Sequence, residues 1–222
     1  MRTFGVVSVL ALAVLVTAGS ALATDLVTMP LGNRAPVQGW EVDGIYVATD
    51  AGPLGPDYTV FLEGYYQATP EIEVGFIHVK PEGVDSQTEV SAAYSILLET
   101  AEKPAVIVGA YNLLGSDWIA SDDISPYVMA AKTLRLPKLG PPSFSDPVIR
   151  AHLGYGTEHH GDALFGAVQA LLTPNIGAIV LYYNDESGIA GTYIFKPGLE
   201  ASVGVYADDP FVRVGAQWPL AP

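Results

Sequence analysis

The sequence predicts an all-β protein, an antiparallel up-and-down transmembrane β-barrel of about twelve strands. The first observation is a period of two, in which apolar and polar residues alternate along segments of about ten residues. The second is that turn residues separate successive segments, and this spacing is typical of an antiparallel meander. The third is a shortage of charge. Residues 199–206 illustrate the first observation, the period of two. One face is apolar, with Leu199, Ala201, Val203 and Val205, and the other face holds Glu200, Ser202, Gly204 and Tyr206.

The low charge content favours a barrel in lipid. Charged residues make up 15% of the chain and hydrophobic residues 50%, against about 25% charged in an average soluble domain. A barrel in lipid needs an apolar outer band and a modest polar interior. The alternative is a soluble secreted barrel that binds a small ligand or glycan, and it requires the apolar faces to pack inward, including Val203, Val205, Val212 and Val214.

The start of the chain predicts export. Residues 1–23 have a basic Arg2, an apolar run from Val6 to Val16 and a small-x-small site at Ala21-Leu22-Ala23, which together indicate a cleaved signal peptide. A membrane anchor is the alternative, but the run is shorter than the ~20 residues of a spanning helix. We expect residues 24–38 to lie at the periplasmic mouth or in the lumen, or to be a disordered leader, and residues 39–222 to form the barrel in the outer membrane of a Gram-negative envelope.

The formal net charge of −14 and the absence of cysteine narrow the possible partners. A strongly acidic surface repels the phosphate backbone, so no nucleic acid partner is expected. An exported chain without disulfides depends on burial and ladder hydrogen bonds. Outer-membrane lipid is the expected environment.

Twelve strand cores follow one another with regular spacing, an even number as in bacterial single-chain barrels. The predicted cores are 41–49, 58–68, 71–80, 88–98, 105–113, 127–134, 148–156, 163–172, 175–184, 189–195, 199–207 and 211–218.

The connections predict two different rims. Connections after even strands are tight turns with proline, as at Thr69-Pro70, Thr173-Pro174 and Lys196-Pro197-Gly198. Connections after odd strands carry carboxylates, namely Asp50, Asp57, Glu82, Asp85, Asp117, Asp122, Asp123, Glu158, Asp162, Asp185, Glu186, Asp208 and Asp209. Short turns on one rim and longer polar loops on the other are typical of outer-membrane barrels, with the short turns periplasmic. Residues 135–147 break the pattern, and they are either a periplasmic insertion or a missed strand.

If the apolar face meets lipid, the other face lines a lumen. Twelve strands enclose a space between the filled eight-strand barrel and the open sixteen-strand pore, so these side chains could nearly fill it. The predicted lumen-lining residues are Glu63, Glu73, Glu89, Lys132, Arg150, His152, Glu200, Arg213 and Gln217.

Two histidine positions are candidates for chemistry. His159 and His160 stand beside Glu158 and Asp162, but adjacent histidines in extended chain point to opposite sides, so a polar loop tip is expected there rather than a metal site. His152 could serve a serine–histidine lipid hydrolase of the outer membrane. No serine lies in a recognisable nucleophile motif, so we expect no enzyme activity, no cofactor and no metal site. The hydrolase stays an alternative.

The acidic connections predict weak binding of divalent cations. Closure of the barrel would bring these carboxylates to one rim, where Ca²⁺ or Mg²⁺ would relieve their repulsion. The alternative is that these carboxylates bind no cation and only keep the loops solvated.

Several strand segments resemble a family of bacterial outer-membrane barrels, the YjbH-like group linked with exopolysaccharide production. The matching segments are AYSILLET at 93–100, KPAVIVG at 103–109, YVMAAK at 127–132, HLGYG at 152–156 and LFGA at 164–167. The resemblance spans about 29–217 and implies an outer-membrane barrel in a single-barrel form, with no catalytic site to carry over. The alternation, the difference between the rims and the signal peptide favour a structural or passive-transport role. Exopolysaccharide export, with components of that export as partners, is the narrower expectation.

Overall fold

The computed structural model of the chain describes residues 38–48, 58–115, 123–135, 148–160, 162–183, 186–196 and 198–219. The predicted signal peptide and all but Gln38 of the segment 24–38 lie outside these residues. So do the long connection at 136–147 and the acidic residues Asp50, Asp57, Asp117, Asp122 and Asp185.

The described chain is a closed antiparallel barrel, and the prediction of twelve up-and-down strands is confirmed. Every strand pairs with its sequence neighbours, and β1 closes the ring on β12 from Gly39↔Pro219 to Val47↔Phe211. The strands are β1 Gly39–Ala48, β2 Tyr58–Gln67, β3 Ile72–Pro81, β4 Gln87–Leu97, β5 Ala105–Tyr111, β6 Ser125–Arg135, β7 Val148–Gly156, β8 Ala163–Thr173, β9 Ile176–Tyr183, β10 Glu186–Lys196, β11 Leu199–Tyr206 and β12 Asp209–Pro219.

The described barrel has no place for a further strand between β6 and β7. β6 pairs directly with β7 from Tyr127↔Gly156 to Arg135↔Val148, which leaves no position between them. A short 3-10 helix, Glu158–His160, lies between β7 and β8. No helix among the described residues is long and apolar enough to span a membrane.

Alternation of side chains places one face of each strand inside the barrel and the other outside. Along β1 every second residue is buried, beginning with Gly39, as the pleat of a strand requires. Val203, which is 61% exposed, Val205 and Val212 point outward. The soluble alternative required these valines to pack in a core, so that alternative is wrong.

The connections form two rims, as closure of the barrel requires. The terminal rim contains the start of β1, the end of β12 and the connections after β2, β4, β6, β8 and β10. The loop rim contains the connections after the odd strands. The predicted difference in connection length between the two rims is only partly present. Strand β10 begins at Glu186 and β12 at Asp209, so two of the loop-rim connections are short, at 184–185 and 207–208. Ala207 and Asp208 both have positive φ, as a two-residue hairpin turn requires.

The interior has two walls of different chemistry. Strands β11 and β1–β4, with β12 between them in the ring, carry a set that we call the acidic wall, made of Glu41, Asp43, Glu63, Glu73, Glu89 and Glu200. Strands β5–β10 contribute a mostly apolar wall, and the hydrophobic core continues from it to the loop-rim ends of β1, β3 and β12. The larger side chains of this core are Ile45, Val47, Ile77, Val79, Ile107, Tyr111, Tyr127, Met129, Phe165, Ile179, Leu181, Tyr183 and Phe211.

Candidate functional site in the barrel interior

Arg213 joins three strands of the acidic wall through ion pairs. Its Nη2 lies 3.2 Å from Glu41 Oε1 and 2.8 Å from Asp43 Oδ1, and its Nη1 pairs with Glu200 Oε1. All four side chains are almost completely removed from solvent. One guanidinium therefore faces three carboxylates, an excess of negative charge in a place where ions are poorly solvated.

Local sequence explains how this cluster fits. Gly215 lies directly across from Asp43 in the β1–β12 ladder, and a Cβ atom at that position would collide with Asp43 Oδ1 and crowd the Arg213 guanidinium. Gln217, one inward position further along β12, donates from Nε2 to Glu41 Oε2 at 2.9 Å. The glycine thus leaves the space that the ion pairs occupy.

Glu63 and Glu89 extend the acidic wall away from Arg213. Asp43 pairs with Glu63 across β1 and β2, Glu63 pairs with Ile77, and Ile77 pairs with Glu89, so the carboxylates follow one row of the sheet. The Tyr65 hydroxyl donates to Glu63 Oε2 at 3.1 Å. Glu89 has no exposed surface, and neither of its carboxylate oxygens has a hydrogen-bond partner.

A small cavity lies on the opposite side, near the terminal rim. Its volume is roughly 70 Å³, and the polar side chains that line it are Thr133, Arg150, Gln169 and Thr192. The Nε and Nη2 atoms of Arg150 are buried without a hydrogen-bond partner. His152 Nε2 lies 3.3 Å from Gln169 Oε1. This space is large enough for a water molecule or two and too small for a large solute.

His160 closes the apolar wall at the loop rim. The 3-10 helix turns its ring into the barrel, where the side chain is only 1% exposed. Its centroid lies 4.9 Å from Phe165, 5.4 Å from Tyr183, 5.5 Å from Tyr127 and 5.6 Å from Tyr111. We call these five side chains the aromatic plug. The expectation of a polar loop tip is wrong for His160, because aromatic contacts inside the barrel outweigh its exposure in a loop.

The structure places most of the predicted lumen residues on the inner face, and it also adds to them. Glu41 and Asp43 were missed, although the outward alternation of Val42, Gly44 and Tyr46 signalled them. The predicted residues with buried inward side chains are Glu63, Glu73, Glu89, His152, Glu200, Arg213 and Gln217, and Arg150 lines the cavity.

Lys132 is a correction to the predicted lumen set. Its neighbour Ala131 is buried and pairs with His152 on the inner face, so Lys132 takes the outer face. Its Nζ donates to the carbonyl oxygens of Thr100 at 2.5 Å and Ala101 at 3.0 Å, in the connection between β4 and β5. The alternation of period two fixes this placement, because a residue one position along must point the other way.

The geometry gives little support to hydrolysis or to a metal centre. A hydrolase of membrane lipid needs its histidine at the lipid-facing surface, whereas His152 is 5% exposed and faces inward. Among the described residues, no three histidine, aspartate or glutamate side chains are grouped so that they could hold a metal ion. Binding of divalent cations by the acidic connections stays a prediction, because several of its carboxylates lie outside the described part of the chain.

Comparisons with known proteins support the fold. No family model matches the chain, and no curated protein matches it, so the resemblance to the YjbH-like group stays a prediction. A solved structure described as "KdgM porin" is similar, with a TM-score of 0.54 and 14% sequence identity, over 82% of this chain and 99% of that chain. At this identity the likeness establishes the fold alone, a closed antiparallel β-barrel.

Proposed function

We propose that this chain is an integral outer-membrane β-barrel with a passive-transport role. The membrane part of the proposal is supported by the outward face of the barrel. Large apolar side chains there are exposed around the whole ring, among them Leu153 at 63% and Val203 at 61%. An exposed apolar surface of this extent needs a lipid or protein environment, because its contact with water is energetically unfavourable.

The strand lengths fit a bilayer. Most strands have ten or eleven residues, and at ~3.3 Å per residue such a strand is roughly 35 Å long. At the tilt of about 35–45° found in outer-membrane barrels, this length reaches across the apolar band of about 25 Å.

Aromatic side chains on the outer face lie near both rims, as in the girdles that flank the apolar band of outer-membrane barrels. Trp40 and Tyr66 contact each other near the terminal rim, with ring centroids 4.9 Å apart, and Tyr46 stacks on Tyr58 near the loop rim at 5.6 Å. Further members are Tyr94, Tyr193, Phe195 and Trp218 near the terminal rim, and Tyr155 and Tyr182 near the loop rim.

The observation that carries the transport role is the acidic wall. Burying charge rarely adds stability compared with well-packed apolar side chains, so a barrel that served only as a scaffold would gain from an apolar interior. Among the described residues, six buried carboxylic residues outnumber the arginines that face the interior, Arg213 and Arg150, and this excess favours a role in handling a polar solute.

A structural role is the second candidate, and the aromatic plug favours it. The plug lies in the loop-rim half of the described interior and packs within the apolar core. In this conformation we expect passage to be narrow and the conductance to be small.

Fractionation followed by conductance measurement tests both parts. We expect the protein in the outer-membrane fraction, and the refolded barrel to give small single-channel steps in planar lipid bilayers. Recovery as a soluble periplasmic or extracellular protein would refute the membrane assignment. Correct insertion without conductance would leave the structural role.

Exopolysaccharide export is the narrower form of the proposal, and the resemblance of the strand segments supports it. Its test is deletion of the gene in the source organism and measurement of secreted polysaccharide. Unchanged secretion would separate the barrel from that pathway without affecting the proposal of passive transport.

A further inference from the structure

We infer that the acidic wall binds small inorganic monovalent cations at Glu63 and Glu89, and that these cations are the class of solute that the barrel passes. The binding part stands on the geometry of the interior. The part about passage deepens the proposed transport function and rests on it.

The first step of the argument is charge. Among the described residues, six acidic residues are buried, whereas the arginines that face the interior are Arg213 and, on the other wall, Arg150. Arg213 is already paired with Glu41, Asp43 and Glu200. Its charge is thus shared among three carboxylates, and Glu63 and Glu89 lie further along the same row of the sheet.

The second step is Glu89. The side chain is completely buried and faces the interior, and both carboxylate oxygens are without a hydrogen-bond partner. A buried carboxylate in this state is strongly unfavourable unless a counter-ion, a hydrogen-bond donor or a proton accompanies it. Glu63 lies in the same row two strands away, with the inward Ile77 between them, so β2 and β4 both present carboxylate oxygens to this part of the interior.

The third step is the class of ion. Carboxylate oxygens are hard ligands that suit alkali and alkaline-earth cations. In the described chain, no three acidic or histidine side chains form a group that could enclose a metal ion. Two carboxylates without a third ligand favour weak binding of a monovalent cation that can leave again, as conduction requires.

The anionic alternative has less support in the interior. It would rest on Arg150, which lines the small cavity on the other wall together with Gln169 and Thr192. A single arginine does not match the six acids across the barrel, and those acids would repel an anion.

The test of passage is a reversal potential. The refolded full chain is placed in a planar bilayer under a KCl gradient, and we expect a permeability for K⁺ several-fold greater than for Cl⁻. Glu63→Gln and Glu89→Gln keep the side-chain shape and should each lower this ratio, and the double variant should lower it most. Glu102→Gln, at an exposed position in the connection between β4 and β5, is the matched control and should leave the ratio unchanged. Anion selectivity, or a ratio unaffected in the double variant, would overturn the inference about passage.

The test of binding does not need conductance. Thermal unfolding of the barrel in liposomes is compared in KCl and in the chloride of the bulky cation N-methyl-D-glucamine at equal ionic strength. We expect the wild-type Tm to be higher in K⁺, because an ion that binds the folded barrel stabilises it. The difference should vanish in the Glu63→Gln/Glu89→Gln variant and persist in Glu89→Asp, which keeps the charge.

The two tests separate the possible failures. Equal Tm values for the wild type in both salts would refute the cation site. A cation-dependent Tm without conductance would keep the site and refute the proposed transport function. Conductance without cation selectivity would keep the transport function and refute the inference about the solute.

Discussion

The imidazole ring of His160 stacks on the phenyl ring of Phe165, with ring centroids 4.9 Å apart and an angle of 27° between the planes. His160 comes from the connection between β7 and β8, whereas Phe165 lies inside β8. A residue outside the strands therefore completes the packing of the interior at the loop rim.

His160→Ala should destabilise the barrel and increase its conductance. The substitution removes ring contacts with four aromatic neighbours, and the loss should be about 2 kcal/mol or more, as for other large-to-small changes in a core. Unfolding by urea in liposomes and single-channel recordings would measure the two effects. His160→Phe, which keeps a ring in the plug, is the control and should resemble the wild type.

Gly156→Ala offers an independent test of the same plug. A Cβ atom at residue 156 would meet the ring of His160, so the larger side chain should displace the ring and reproduce the effects of His160→Ala. If both variants left stability and conductance at wild-type values, the plug would have no role in closing the interior.

Arg213→Met should be strongly destabilising. It leaves Glu41, Asp43 and Glu200 buried without their guanidinium, and removal of one partner from a buried ion cluster typically costs about 3–5 kcal/mol. Adding Glu41→Gln and Glu200→Gln to Arg213→Met should recover much of the loss, because fewer charges then remain uncompensated. Refolding titrations would compare the variants, and a single variant as stable as the wild type would contradict the prediction.

Val203→Arg tests the lipid-facing assignment. Val203 lies midway along β11 on the outer face, where an arginine should cost about 2–4 kcal/mol near the bilayer midplane and less near the interfaces. Val203→Leu should be nearly neutral, and Tyr46→Arg, nearer the loop rim, should cost less than Val203→Arg. Equal penalties at the two arginine positions would show that this surface does not face a bilayer core.

Lys132→Met should lower stability modestly without changing ion selectivity. The variant loses donation from Nζ to Thr100 O and Ala101 O, and for a partly exposed amine we expect a loss of about 1 kcal/mol. Lys132→Arg, which keeps the charge, should lose less. A change in reversal potential for Lys132→Met would indicate that this side chain influences the lumen, against its position on the outer face.

Weak Ca²⁺ or Mg²⁺ binding by the acidic connections is the last prediction. Asp208 and Asp209 stand where β11 turns into β12, and we expect millimolar Ca²⁺ to raise the Tm through loosely arranged carboxylate ligands. The rise should shrink when both residues are changed to Asn and persist in Glu63→Gln/Glu89→Gln. A Tm that does not respond to Ca²⁺ would leave solvation as the role of these acids.

The sequence by itself determined the strands and their faces. The alternation of apolar and polar residues is a local property with a period of two, so the twelve strands and the outward position of Val203 and Val212 could be predicted without knowledge of the neighbours. The inward position of Glu63, Glu89 and Arg213 followed from the same rule.

Only the tertiary structure decided which of these side chains meet. Arg213 and Glu41 are 172 residues apart and pair because closure sets β1 beside β12 in one register. Local alternation does not fix that register or predict that a connection will fold into the barrel, which is why His160 was missed as a core residue. The separation into an acidic wall and an apolar wall likewise arises from the order of strands around the ring, since a strand read alone shows only which face is inside.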